Sequence, residues 1–249
     1  MRYTQRAKYV FLILAIGFVQ LAQADLTDGD FHTTLSFTSD FFWRGYSKSA
    51  ESPSYQLNVD YDAVGSDSGV FAGAWAATID FTDREFESAS DYEFVLYLGW
   101  SQEISEDFRI DAQLTQYLYD DQLFGRDSDY LEIYLFGHFR DLATLEVSYA
   151  PEPYGIGPDT WNYQFTGRYP LLASLEASAG IGYYDAVDLF QYDYWYWNVG
   201  TTWRSEYLSV DLRYIGSSEV NVVELTGNFW AEDLPFESAK IVITISVGF

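Results

Sequence analysis

The chain has 249 residues, no Cys, 22 Tyr, an aromatic content of 20% and a formal net charge of -25. A balance that acidic excludes nucleic-acid binding and a polybasic lipid anchor, and the lack of Cys excludes a disulfide framework. No stretch reaches 18 consecutive apolar residues, so no transmembrane helix is expected.

Residues 1–24 read as a cleaved signal peptide. Arg2, Arg6 and Lys8 form a positive start, Tyr9 to Val19 an apolar run too short to span a bilayer as a helix, and Ala22-Gln23-Ala24 a small-x-small cleavage site. The remainder, 25–249, is expected to be a single all-β domain. Its first strand is predicted near 31–46. Next, Tyr55, Leu57, Val59 and Tyr61 alternate with Gln56, Asn58, Asp60 and Asp62. Weaker alternation follows at 70–81. Tyr92, Phe94, Leu96, Leu98 and Trp100 then alternate with Glu93, Val95, Tyr97 and Gly99. Strands are predicted at 108–119, 130–139 and 142–150, and a clear one over Trp161–Tyr169. Three more follow at 173–184, 192–204 and 208–214. The last ten residues place Ile241, Ile243, Ile245, Val247 and Phe249 on one face and Lys240, Val242, Thr244, Ser246 and Gly248 on the other. Period-two alternation repeated about twelve times, in a chain without a membrane helix, is the pattern of a transmembrane antiparallel β-barrel.

The joins sort into two classes. Those at 64–69, 102–107, 140–141, 170–172 and 204–206 are short. Most of those at 47–52, 82–90, 120–128, 151–159, 185–191 and 217–237 are longer. Short periplasmic turns opposite longer external loops fit an outer-membrane barrel with both termini inside. Aromatics fall where two interfacial girdles belong. Trp100, Phe108, Phe139, Tyr169, Trp203 and Phe249 are expected outward near the inner ends; Trp43, Phe81, Tyr92, Trp161, Trp195 and Trp197 are expected outward near the outer ends. The C-terminal strand ending in Phe249 is the form read by the barrel-assembly machinery, and outer-membrane lipid and lipopolysaccharide are the expected surroundings.

Ser39-Asp40-Phe41-Phe42-Trp43-Arg44-Gly45-Tyr46-Ser47, followed by Pro53 and Gln56, resembles the opening motif "SDYxxRGxS…P…Q" of the TorF-like porins, a proteobacterial family. Gly69-Val-Phe71-Ala-Gly73-Ala-Trp75 through Asp80-Phe81, Tyr92-Glu93 through Tyr97-Leu-Gly99, and Tyr130-Leu-Glu132-Ile-Tyr134 look like its later blocks. Phe41 departs from the Tyr usual in the first motif. The resemblance covers essentially the whole mature chain, most specifically 39–99. It implies a Gram-negative outer-membrane barrel assigned as a porin, with no settled solute.

With this strand phase the lumen would hold Asp40, Arg44, Gln56, Asn58, Asp60, Glu93, Arg109, Asp111, Gln113, Glu132, Glu146, Arg168, Glu176, Asn198, Asp211, Arg213 and Lys240. Tyr97, Tyr117, Tyr134, Tyr184 and Tyr196 would narrow it. Asp40 and Arg44, four apart on a strand, would share the inward face. They form either a charge constriction near the outer end of the first strand or an ion pair that pins it to Asp60 or Glu93, with Gly45 permitting a bend. Counted with their flanks, as 47–52, 80–91, 120–129, 150–160, 185–193 and 217–237, the external loops carry 20 Asp/Glu against Lys48, Arg84 and Arg126. That surplus suits a cation-concentrating funnel, cation binding at lipopolysaccharide, or simply a solvated face. No Asp-x-Asp-x-Asp-Gly loop is present, and neither a dedicated metal site nor a cofactor is expected. The two His, His32 and His138, fall near the periplasmic side, away from an outer-rim catalytic site, so catalysis is not expected. The function expected is passive diffusion of small hydrophilic solutes or ions, with weak cation preference because lumenal acids outnumber bases. The alternative is a non-transport surface barrel whose acidic loops bind cations.

Overall fold

The computed structural model describes residues 29–64, 68–83, 88–123, 125–190, 193–218 and 239–249. The signal segment 1–24 and nearly all of 217–237 lie outside the described residues. The strands are β1 Asp30–Thr38, β2 Phe42–Trp43, β3 Tyr46–Ser47, β4 Ser54–Val64, β5 Ser68–Asp83, β6 Ser88–Ser105 and β7 Phe108–Tyr119. They continue as β8 Tyr130–Phe139, β9 Ala143–Ala150, β10 Thr160–Leu172, β11 Leu175–Asp185, β12 Tyr194–Arg204, β13 Leu208–Ser217 and β14 Lys240–Gly248. A 3-10 turn at Pro153–Gly155 and one short helix, α1 Val187–Phe190, lie in the connections.

Among the described residues, twelve of these strands form a closed antiparallel barrel, with β2 and β3 left outside its wall. Every neighbour in the wall is also a neighbour in sequence, except where the ends meet. There Thr34–Thr38 of β1 pair with Gly248–Thr244 of β14. The Thr33 amide donates to the Phe249 carbonyl at 2.9 Å and the Phe249 amide returns a bond to Thr33 at 3.0 Å. Closure satisfies each strand edge from within the sheet, which is what a backbone surrounded by hydrocarbon requires. No helix among the described residues is long and apolar enough to cross a membrane.

Side chains alternate as the lipid demands. Ile241, Ile243, Ile245, Val247 and Phe249 are exposed on β14, while Val242 is buried. Across the seam, inward Ser36 and Ser246 bond at 2.8 Å, and Thr244 donates to Thr38 at 2.9 Å. Outward Phe31 packs on Tyr61 and Phe37 on Tyr55 as directly paired residues. Thus one face of the sheet is oily and the other carries hydroxyls, amides and charges.

Two strand expectations are corrected. The first wall strand ends at Thr38, not near 46. β5 and β6 run much longer than expected, pairing as far as Asp83 with Ser88, so the segment taken as the external loop 82–90 is largely sheet. A register shift between Thr78 and Phe81 marks where that hairpin leaves the regular wall.

Candidate functional site: the lumen and the hairpin inside it

Residues 39–49 do not project outward; they fold into the barrel, and 50–53 run back to β4 exposed. β2 and β3 pair through Phe42 with Ser47 and Trp43 with Tyr46, leaving Arg44 and Gly45 as a two-residue tip. Both tip residues have positive φ, 47° and 85°, the requirement of a type I′ turn. Gly45 meets a second demand, because a Cβ there would lie 2.6 Å from Tyr196 Cβ. Arg44 has no such licence, and its left-handed conformation costs roughly 1–2 kcal/mol.

What holds it is charge. Arg44 Nη2 donates to Glu132 Oε1 at 2.5 Å, to Ser148 Oγ at 2.7 Å and to the Tyr134 hydroxyl at 3.3 Å. Tyr134 donates in turn to Glu132 Oε2 and shares a bond with Tyr117. The Arg44 guanidinium also stacks 4.0 Å from the Trp43 ring centroid. On the other arm, Lys48 Nζ donates to Glu93 Oε2 at 2.5 Å, with side-chain exposures of 0% and 1%. Burial pushes the Lys48 ammonium below its usual range, and Glu93 beside it pulls it back up. Lys48 also sits 4.4 Å from the Trp43 ring. Trp43 is therefore flanked by two cations and makes edge contacts with Tyr117 and Tyr184.

The base of the hairpin is knotted to the wall through Asp40. Its carboxylate accepts from Ser47 at 2.5 Å and Ser49 at 3.0 Å and pairs with Lys240 at 3.0 Å. Lys240 also reaches Glu51 at 3.3 Å. The Asp80 amide donates to the Lys48 carbonyl at 2.9 Å, tying the returning arm to β5.

Two neighbouring connections complete the packing. Tyr154, at the 3-10 turn, is buried and bonds Tyr46 hydroxyl to hydroxyl at 2.5 Å. Leu123, from the connection between β7 and β8, is buried in the same cluster with Tyr117, Tyr130, Tyr184, Tyr194 and Tyr196. The outer half of the lumen is filled by this aromatic core.

Two of the spaces below it are lined by described residues. One, of about 310 Å³, lies under the hairpin tip and is lined by Arg44, Tyr134, Glu146, Gln164, Asn198 and Arg213, among others. The other, of about 480 Å³, lies toward the end of the barrel that carries Asp30 and Gly248, among His32, Asp60, Asp62, Glu103, Arg109 and Asp111. There Asp111 accepts from Ser101 at 2.6 Å and faces Arg109 at 3.1 Å and His138 at 3.0 Å.

The residues anticipated for the lumen thus fall into three levels. Asp40, Arg44, Glu93 and Glu132 engage the hairpin. Arg213 holds Asp211 at 2.8 Å and Asn198 at 2.6 Å in the middle. Asp60, Arg109 and Asp111 gather at the inner mouth, and Arg168 bonds Thr144 at 2.9 Å on the nearby wall. Asp40 and Arg44 are not the adjacent pair on one strand face that their spacing suggested; their partners are Lys240 and Glu132. Lys48, read as an external-loop charge, is buried. Trp43, read as a girdle residue, lies inside the barrel. Tyr92, Trp100, Phe139, Trp161, Tyr169, Trp195, Trp203 and Phe249 are exposed on the outer wall, and Trp197 is half-buried. Among the external acids, Asp120 is structural: one oxygen accepts from the Ser90 hydroxyl and the Asp91 and Tyr92 amides. No group of His, Cys, Asp and Glu among the described residues is arranged to hold a metal ion.

The sequence profile of a family described as "Bacterial protein of unknown function (Gcw_chp)" matches residues 23–249. No curated protein matches the chain. Among solved structures, the KdgM porin is similar at a TM-score of 0.53 and 7% identity, over 88% of this chain and 98% of that one. A chain from work on the mechanism behind the in-meso crystallization of membrane proteins is similar at 0.52 and 14%, over 88% and 83%. At such identities the likeness speaks for the fold, a porin-type barrel.

Proposed function

The chain belongs to the Gcw_chp family, bacterial proteins of unknown function, and for this member we propose an outer-membrane channel of the porin type for small hydrophilic solutes. The observation that carries the reading is the sealed twelve-stranded wall, oily outside and lined with polar groups within. Polar-lined cavities at mid-depth and at the inner mouth support the same reading. The resemblance of residues 39–99 to the TorF-like porins supports the same reading, as does the porin fold of the structural neighbours.

The hairpin of residues 39–53 sets the constriction. In the conformation described it narrows the outer lumen, so conduction requires its displacement or a path beside it. Weak cation preference belongs to the proposal. Asp60, Asp62, Glu103 and Asp111 at the inner mouth outnumber Arg109, and the external loops are acidic. Outer-membrane location follows from the same reading, with export by the signal segment and insertion through the C-terminal strand ending at Phe249. Lipopolysaccharide and cations are the partners proposed at the acidic outer rim.

Planar-bilayer recording tests this. The wild type is expected to conduct in small, infrequent steps, with a reversal potential favouring potassium over chloride in a salt gradient. A variant in which a short Gly-Ser turn replaces residues 40–52 should conduct more and more steadily. Silence from that variant, once its heat-modifiable gel shift shows a folded barrel, would refute the channel.

A further inference from the structure

The cavity under the hairpin tip has unused bonding capacity of both signs. Glu146, Gln164, Asn198 and Arg213 each stand four residues in from the outer ends of β9, β10, β12 and β13, so they form one belt around the lumen. Arg44 roofs the belt. Its Nη2 is committed to Glu132, Tyr134 and Ser148, but its buried Nη1 meets no acceptor among the described residues. A guanidinium nitrogen left that way is an arrangement costly enough that buried polar groups rarely show it, and because it is enclosed by protein the Arg44 side chain must turn to bring it to the cavity.

Glu146 is the converse. Its Oε1 accepts from Asn162 at 3.0 Å, and no hydrogen bond reaches its Oε2 among the described residues. Arg213, by contrast, is spent on Asp211, Asn198 and Ser178.

The charges follow the same division. Glu132 neutralises Arg44 by direct contact and Asp211 neutralises Arg213, whereas Glu146 has no cation in contact among the described residues. A simple anion entering the cavity would satisfy Arg44 but meet Glu146 as a like charge. A simple cation would satisfy Glu146 and leave Nη1 idle. A molecule carrying both groups answers both.

We propose that this cavity binds a small zwitterion, an amino acid with a short skeleton, its carboxylate on Arg44 Nη1 and its ammonium on Glu146 Oε2. The rings of Tyr134 and Tyr196, which also line the cavity, suit the ammonium as well. A space of about 310 Å³ accommodates a molecule of this size together with water. The proposal deepens the channel reading and rests on it for the solute's route, but binding is measurable without transport.

The test uses the folded full-length barrel in detergent micelles and titrates glycine, β-alanine and γ-aminobutyrate by calorimetry and ligand-observed NMR, beside acetate and ethylamine. At least one zwitterion is expected to bind saturably, roughly tenfold or more tighter than either single-charge probe, the factor one charge-assisted hydrogen bond carries. Glu146→Gln keeps an acceptor for Asn162 and removes the charge. It should weaken the zwitterion by a similar factor while the gel shift of the folded barrel is retained. Arg44→Lys, which keeps the charge for Glu132 but lacks the second guanidinium nitrogen, should weaken it as well. The proposal is overturned if no zwitterion saturates, if acetate or ethylamine binds as well as the best zwitterion, or if Glu146→Gln binds like the wild type. A barrel that binds yet does not conduct refutes the channel reading alone, and one that conducts yet does not bind refutes this site alone.

Discussion

The Arg44–Glu132 pair is the contact on which the docked hairpin should depend most. Both side chains are almost fully buried, at 4% and 1% exposure, and the contact is 2.5 Å. Arg44→Ala leaves Glu132 buried with only neutral donors, Tyr134 and Ser148. Removing one member of a buried pair costs about 3–5 kcal/mol, because the survivor stays desolvated without its counter-charge. At about 1.4 kcal/mol per tenfold, the docked-to-displaced ratio falls roughly a hundredfold to a few thousandfold. Single-channel recording would read that as a rise in open probability. The double variant Arg44→Ala, Glu132→Gln removes both charges and should recover much of the docking, since an absent pair costs far less than a broken one. Equal open probabilities for the single and double variants would refute the reasoning: the effect would then come from lost packing on Trp43, not from the stranded carboxylate.

Three further outcomes are expected. Lys48 has a lowered pKa when docked, so the docked hairpin binds fewer protons there than a displaced, solvated one. Docking should therefore tighten as pH rises from the lowered value toward the ordinary lysine value of about 10.4, and weaken as pH falls through the lowered one. Open probability measured across that range should fall with pH in the wild type, and Lys48→Met should flatten the trend. Gly45→Ala places a methyl 2.6 Å from Tyr196 Cβ at a φ of 85°, and a destabilisation of about 1–3 kcal/mol should appear as higher conductance in the same recordings. On the outer wall, Ile243→Arg should cost about 2–4 kcal/mol in guanidinium unfolding from vesicles, whereas Thr244→Arg, one residue along and facing the lumen, should cost far less.

The wall was legible because lipid and water impose a period of two on every residue that separates them. In β14 nothing but this alternation is needed to place Ile241 through Phe249 outside and Lys240 through Gly248 inside. The hairpin was not legible by the same rule. Phe41, Phe42, Trp43 and Tyr46 are as apolar as girdle residues, and a pattern cannot say whether an aromatic ring is buried by lipid or by the lumen. The usable signal was local: alternation fails from Ser39 onward, and Arg44-Gly45 stands between aromatic residues where a two-residue I′ turn can form. Tyr154 was hidden for a related reason. It lies among Pro151, Pro153 and Pro158, which mark a loop correctly but say nothing about its direction. The partners of Arg44 and Lys48 lie 88 and 45 residues away in sequence, and only barrel closure brings them together.

The chemistry of the hairpin bears on whether it is a permanent filling or a movable part. A permanent filling would be at least as stable with apolar residues in place of Arg44, Lys48, Glu93 and Glu132, since well-packed hydrophobic side chains match or exceed buried ion pairs. Charges have a different consequence: they remain soluble when separated. If the hairpin leaves the lumen, Arg44, Lys48 and Asp40 hydrate on one side and Glu132, Glu93 and Lys240 on the other. Both surfaces are aromatic, and these charges keep each partly hydrated, which limits collapse on the wrong partner. The left-handed conformation held at Arg44 works in the same direction, because that strain is released on leaving and restored on docking. Docking free energy is thereby kept small against the number of contacts made. The charged contacts also fix one register, since Arg44 meets Glu132 while Lys48 meets Glu93 only when the hairpin enters to full depth.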